Sequence, residues 1–315
     1  TTPTPATPTT PTTPVVPTPA PTPSPGTPVV PTPVTPTPTP SPTIQPYGFG
    51  GSFAFNLTFR DEFEGTSLDT SKWNTKYWYL PDNNTPNYTV ENGMLKIWTE
   101  EPFIRENRSI NTDGKFEQRY GFWEIEARLP IGRAVLPHIM LYQRQGDDRP
   151  EMSIMKAFPG AAGWSDVNRQ PTAYQVNLLQ ANADYSQVYQ LSQYRWDSNT
   201  VLSGAWHKYG LRWEPNRVIF YFDGMQVGPV YSDSFMYFNK PMFLSLDLFL
   251  GGISGDPLTG GVITGKSNSF EIRYVRVWQF FSIPNPTSVP TPTTPSPTPG
   301  PTPSPVIPTP APTSP

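Results

Sequence analysis

Phe122-Trp123-Glu124-Ile125-Glu126-Ala127-Arg128-Leu129 has a period of two, with Trp123, Ile125, Ala127 and Leu129 on one side of an extended strand and Glu124, Glu126 and Arg128 on the other. An amphipathic helix would instead bring its apolar residues back every three or four positions. Moving outward, strand-like runs recur at residues 54–60, 94–100, 137–144, 151–158, 173–180, 206–214, 218–223, 242–250 and 270–279. Asn92-Gly93 and Asp223-Gly224 supply residues that tolerate positive φ, so each predicts a tight hairpin. Many short strands joined by short turns predict an all-β sandwich or barrel with few helices.

The rest of the chain is organised around this stretch. All 47 charged residues and all 42 aromatics of the 315-residue chain fall within residues 47–283, a length that suits one all-β domain. Residues 1–46 carry 18 prolines and residues 284–315 carry 14, mostly alternating with Thr or Ser, as in Thr35-Pro36-Thr37-Pro38-Thr39-Pro40-Ser41-Pro42. Proline fixes φ, removes the N–H donor and biases its predecessor towards extended backbone, so both segments are expected to be polyproline II arms. At about 3.1 Å per residue they would reach roughly 140 Å and 100 Å. Their composition fits O-glycosylated extracellular stalks as well as unmodified linkers, and it places the protein outside the cell or on its surface. Asn56, Asn83, Asn87 and Asn107 begin Asn-x-Ser/Thr sequons and are candidate N-glycosylation sites. A chain that starts Thr1-Thr2-Pro3 with no leader reads as a mature or trimmed product.

Several classes are excluded by composition. No apolar run approaches the roughly 20 residues of a membrane span. A net charge of −3 without a basic run offers nothing to neutralise nucleic-acid phosphates. Zero Cys removes disulfides, thiol catalysis and zinc-thiolate sites, and His138 and His207, in separate predicted strands, read as hydrogen-bonded structural histidines. Aromatics make up about 18% of residues 47–283, enough to furnish both a core and sugar-stacking platforms.

Specific segments go further. Arg60-Asp61-Glu62-Phe63-Glu64-Gly65-Thr66-Ser67-Leu68-Asp69 comes first, followed by Tyr120-Gly121-Phe122-Trp123-Glu124-Ile125-Glu126-Ala127-Arg128-Leu129-Pro130. Trp206-His207-Lys208-Tyr209 and Trp213-Glu214-Pro215 then lead into Phe220-Tyr221-Phe222-Asp223-Gly224, residues 243–252 and Tyr274-Val275-Arg276-Val277-Trp278-Gln279. In this order they resemble the glycoside hydrolase family 16 β-glucanases of laminarinase and lichenase type. The resemblance implies a concanavalin-like jelly-roll β-sandwich, with residues 120–130 as its central cleft strand.

On the catalytic strand the resemblance departs from the family pattern Glu-x-Asp-x-x-Glu, because this chain reads Glu151-Met152-Ser153-Ile154-Met155-Lys156. Glu151 takes the nucleophile position, Ser153 that of the helper Asp and Lys156 that of the acid/base Glu. A family bulge would turn all three towards the cleft. Retaining hydrolysis needs two carboxyl groups about 5–5.5 Å apart. Only Glu151 remains, and Lys156 is expected to be charged and ion-paired with it. The family's Gly-x-Trp-Pro is replaced by Val135-Leu136-Pro137-His138. Arg273 stands where the resemblance implies an Asp ligand for a structural calcium, so no metal or other cofactor is expected. Tyr120, Trp123, Tyr142 and Trp164 are candidate carbohydrate platforms, each with an alternative role in the core.

Three functional readings follow. The first is an extracellular structural glycoprotein on a non-catalytic, pseudoenzyme-like sandwich, self-associating into a fibre or sheath with its arms. The second is a β-glucan-binding module whose groove outlived catalysis. The third is an active endo-β-1,3(4)-glucanase.

Overall fold

Asn92 and Gly93, with φ of 52° and 69°, close one hairpin, and Asp223 and Gly224, with φ of 48° and 81°, close another. Both turns have the positive φ at two central residues that matches the twist of paired strands. The computed structural model describes residues 53–76, 87–100, 107–144, 149–160, 171–183, 186–232, 238–251 and 263–282. Both proline-rich arms lie outside these residues, as do Trp164 and Asn83.

Among the described residues fifteen strands form two antiparallel layers. In chain order they are β1 (Phe53–Asp61), β2 (Tyr88–Glu91), β3 (Met94–Ile97), β4 (Asn107–Asn111), β5 (Glu117–Gln118), β6 (Gly121–Arg128), β7 (Val135–Tyr142) and β8 (Glu151–Ala157). They continue as β9 (Ala173–Ala181), β10 (Val188–Asp197), β11 (His207–Glu214), β12 (Arg217–Phe222), β13 (Met225–Tyr231), β14 (Met242–Leu250) and β15 (Phe270–Ser282). One sheet runs β13-β12-β11-β6-β15-β3-β2, with β1 also paired to β15. The other runs β10-β9-β8-β7-β14-β4, with β5 also paired to β14. Among the described residues no helix is long and apolar enough to cross a membrane.

The two sheets enclose one apolar layer. From one sheet come Trp123, Ile125 and Ala127 of β6 with Leu211 and Trp213 of β11, and from the other Met152 and Met155 of β8 with Leu244, Leu246 and Leu248 of β14. Strand β6 therefore belongs to the sheet opposite β8 and is not a cleft strand. The resemblance placed it there, but its apolar side chains face inward, because only that direction removes them from water.

All ten predicted strands are present, with ends shifted by a few residues, and β14 matches residues 242–250 at both ends. Strands β2 and β13 are implied by the two predicted hairpins without a range of their own, and β4, β5 and β10 have no counterpart among the predicted strands. Strand β10 shows why: its residues, Val188-Tyr189-Gln190-Leu191-Ser192-Gln193-Tyr194-Arg195-Trp196-Asp197, are exposed or half-buried throughout, so little apolar alternation marks it.

Candidate active-site strand

The site is built by one extra residue. Against β7, Met140 pairs with Ser153 and Ile139 with Met155, so Ile154 has no partner and forms a β-bulge. Met152, Ile154, Met155 and Ala157 all point into the core. The bulge thus puts two consecutive residues inward and returns Glu151, Ser153 and Lys156 to the opposite, outer face of the sheet.

Neighbouring strands continue that face. Glu151 lies between Tyr142 and Leu179, Ser153 between Met140 and Asn177, and Lys156 between His138 and Gln175. Beyond β7, Ser245 and Asp247 of β14 pair with Met140 and His138. The polar groups join in a chain. Ser153 Oγ donates to Glu151 Oε1 at 2.9 Å, and His138 Nε2 lies 2.9 Å from Ser153 Oγ and 3.6 Å from Glu151 Oε1. Because Ser153 has one hydroxyl proton and gives it to Glu151, its contact with His138 is made by a ring that donates from Nε2. On β14, Ser245 Oγ donates to Asp247 Oδ1 at 2.6 Å and lies 3.1 Å from Ser109 Oγ.

Burial governs the charges here. It raises the Glu151 carboxyl above its ordinary range, outweighing the Lys156 charge and the Ser153 hydrogen bond that pull it down. It lowers the Lys156 ammonium below its ordinary value despite the Glu151 carboxylate. The expected promotion of charged Lys156 by Glu151 is therefore reversed, because desolvation is the larger effect. Nor do Glu151 and Lys156 form a direct ion pair among the described residues, where Glu151 is held by Ser153 and faces His138 instead. Burial and the nearby Lys156 charge hold His138 well below the usual histidine range, which keeps it neutral.

The aromatic candidates do not converge. Trp123 is fully buried between the sheets and cannot meet a sugar, which corrects its reading as a platform. Tyr120 packs edge-on against Trp213 of β11 at 5.1 Å, in the sheet opposite Glu151. Tyr142 does adjoin Glu151, but it is 3% exposed and sits edge-on to Phe243. Trp164 lies outside the described residues.

The other singled-out residues are also placed. His207 Nδ1 lies 2.8 Å from Asp223 Oδ2 and its ring stacks on Phe222. Arg273 Nη1 contacts Glu126 Oε2 at 3.0 Å and its guanidinium lies over Trp206, so the residues at the implied calcium position do not fit a cation. Asn56 is exposed on β1. Asn87 is buried at 7% exposure, which closes this sequon to a glycan in the folded state. The side chain of Asn107 lies outside the described residues. The sequence reading missed Gln175, Asn177, Ser245 and Asp247. The signal was present in β14, where Ser245 and Asp247 interrupt an apolar run two positions apart.

Comparison with known proteins matches this architecture. The profile of Glycosyl hydrolases family 16 matches residues 74–266. The chain belongs to this family. It is 24% identical over 257 residues to the endo-1,3-1,4-beta-glycanase EglC of Rhizobium meliloti, covering 70% of this chain and 51% of that protein. It is 25% identical over 270 residues to the glucan endo-1,3-beta-glucosidase A1 of Niallia circulans, covering 71% and 38%. The chain thus spans about half or less of the length of these curated relatives. Among solved structures, the catalytic domain of a Thermotoga petrophila laminarinase aligns with a TM-score of 0.58 at 21% identity, covering 72% of this chain and 98% of that one. Porphyranase B from Zobellia galactanivorans aligns with a TM-score of 0.60 at 19% identity, covering 72% and 94%. These likenesses establish the jelly-roll sandwich, and in this family member the bulged strand carries one carboxylate, one hydroxyl and one amine.

Proposed function

We propose that the chain is an extracellular structural glycoprotein built on a non-hydrolytic family 16 domain, carried between O-glycosylated Pro/Thr-rich arms and assembling into a fibre or sheath. The observation that carries the loss of hydrolysis is Lys156 on the outer face of the bulged strand, beside a Glu151 that is bonded to Ser153 and shifted towards its neutral form. A retaining mechanism needs a separate carboxylic acid beside the nucleophile, and Lys156 stands at that position. The arms support the assembly, since 78 residues without a charge or an aromatic have the composition of spacers rather than of a second folded module.

The test is light scattering of the full-length chain from its native source, with glycans intact, over a wide concentration range. Multimers are expected, and electron microscopy should show ordered fibres. A mass that stays monomeric at every concentration overturns the reading. In parallel, laminarin and mixed-linkage glucan should release no reducing ends, whereas steady release would restore the glucanase reading.

A glucan-binding role is the second reading. It is favoured by Gln175 and Asn177, whose side chains adjoin Glu151, Ser153 and Lys156 on one face and match the hydroxyl-binding chemistry of a sugar site. Retardation in gels containing β-1,3- or mixed-linkage glucan, lost in Trp164→Ala, would support it. Unretarded migration with every glucan would remove it.

A further inference from the structure

Strand β10 is the outermost strand of its sheet and, among the described residues, pairs only with β9, so within them its other edge presents unpaired backbone donors and acceptors. Nine large hydrophobic residues are exposed among the described residues. Six of them, Val188, Tyr189, Leu191, Tyr194, Met225 and Val230, lie on β10 and on β13, the terminal strand of the other sheet. The two strands meet at Gly228, where an added Cβ would come within 2.8 Å of the Tyr194 ring. Residues 188–194 contain neither charge nor proline, two of the usual guards of an exposed edge.

The order of residues is symmetric in chemistry. Tyr189-Gln190-Leu191-Ser192-Gln193-Tyr194 reads Tyr-Gln from either end, about a centre between Leu191 and Ser192. In a regular strand, Tyr189 and Tyr194 would face opposite sides of the sheet, because five positions separate them. A bulge at Leu191 removes that obstacle: Gln190 pairs with Leu179 and Ser192 with Leu178. Tyr189 and Tyr194 pair with Gln180 and Val176, on the core-facing side, while Gln190 and Gln193 pair with Leu179 and Asn177, on the outer side. The bulge therefore gives the strand a two-fold pattern on each face, the requirement for an interface that a surface makes with its own copy.

We infer that β10 pairs antiparallel with β10 of a second copy about a two-fold axis between Leu191 and Ser192, joining two seven-stranded sheets edge to edge. Tyr189 then faces Tyr194 of the second copy, Gln190 faces Gln193, and Val188 faces Arg195, with no like charges opposed. Aromatic and amide cross-strand pairs flank the bulge on both sides. The contact deepens the assembly reading and rests on it, supplying one of the joints such an assembly needs.

The test compares the full-length chain with two double variants at exposed positions, Gln190→Lys with Gln193→Lys and Gln190→Glu with Gln193→Glu. Each variant sets like charges opposite one another across the two-fold. Sedimentation equilibrium should show self-association of the unaltered chain and a dissociation constant at least about tenfold higher for either variant alone. An equimolar mixture of the two variants should associate again, because each Lys then faces a Glu. Because Gln190 Nε2 donates to Gln193 Oε1 within one copy, both double variants lose that bond, and circular dichroism should show the two variants folded with matching midpoints. Tyr189→Glu supplies an independent variant should a double variant fail to fold. Unchanged association of the variants, with no gain on mixing, overturns the β10 contact and leaves the assembly reading standing. A chain that is monomeric at every concentration overturns both. Dissociation by a synthetic Thr-Pro peptide with the sequence of residues 35–42 would identify an arm as the occupant and also overturn the contact.

Discussion

His138 is a neutral imidazole held by burial between Lys156 and Ser153, and this has a measurable consequence. Its folded pKa lies below the unfolded value of about 6.5, so the folded state binds fewer protons and the group's stability is present above that value. This stability is lost as pH falls from about 6.5 through the folded pKa. Glu151 has the opposite sign: its raised pKa contributes stability at low pH that is lost as pH rises through the folded value. Urea unfolding of His138→Gln should therefore lack an acid slope that the unaltered chain shows, at most about 1.4 kcal/mol per pH unit within the His138 window. Equal slopes for the two proteins would refute the neutral buried histidine. Chemistry at the same strand is equally accessible. Ser153→Asp with Lys156→Glu restores the carboxyl pair on the bulged face and should raise laminarin hydrolysis about 10²-fold or more over the unaltered chain. No gain in reducing-end release would mean that the face has lost more than two side chains. Glu151, Ser153 and Lys156 were legible in the sequence because they sit in one hexapeptide. The setting of His138 was not, since its contacts come from a neighbouring strand.

Elements show where the sequence carries enough information and where it does not. Strand β14 is legible to both ends because it is buried on both faces and apolar at every position except Ser245 and Asp247. Strand β10 escaped detection because an exposed edge strand makes few apolar demands on its residues. Close crossings between elements are also silent in one dimension. Just after β8, Gly160 passes so near the segment following β6 that a Cβ would overlap the Gly132 carbonyl and the Arg133 Cα. Backbone cannot swing aside as a side chain can, so Gly160→Ala should destabilise the fold by about 2–3 kcal/mol in denaturant unfolding. A cost below about 0.5 kcal/mol would show that the crossing relaxes freely.

At the scale of the molecule, β1 and β15 pair from Phe53↔Ser282 to Asp61↔Val275, bringing together segments that bracket the other thirteen strands. This pairing brings both ends of the sandwich into one sheet, which is why residues 47–283 should behave as a complete folding unit. A chain trimmed of residues 1–46 and 284–315 should unfold in one cooperative transition, within about 2 °C of the full-length chain. A much lower midpoint would mean that the arms brace the sandwich. Such non-local pairing also predicts folding in milliseconds to seconds or slower.

The sequence by itself determined the strand period, the two Gly-containing hairpin turns, the confinement of every charge to residues 47–283, and the Lys at the position of the expected acid. These are local properties, set by the pleat, by φ or by side-chain chemistry, so neighbouring residues suffice to read them. Tertiary structure alone decided which sheet received β6 and so removed Trp123 from the cleft face, and it showed that desolvation outweighs the Glu151–Lys156 attraction. It also turned the palindrome of β10 into a two-fold pattern, through a bulge measured against β9. Each of these depends on the distance from water or on the register between strands far apart in the chain, and no single stretch of residues encodes either.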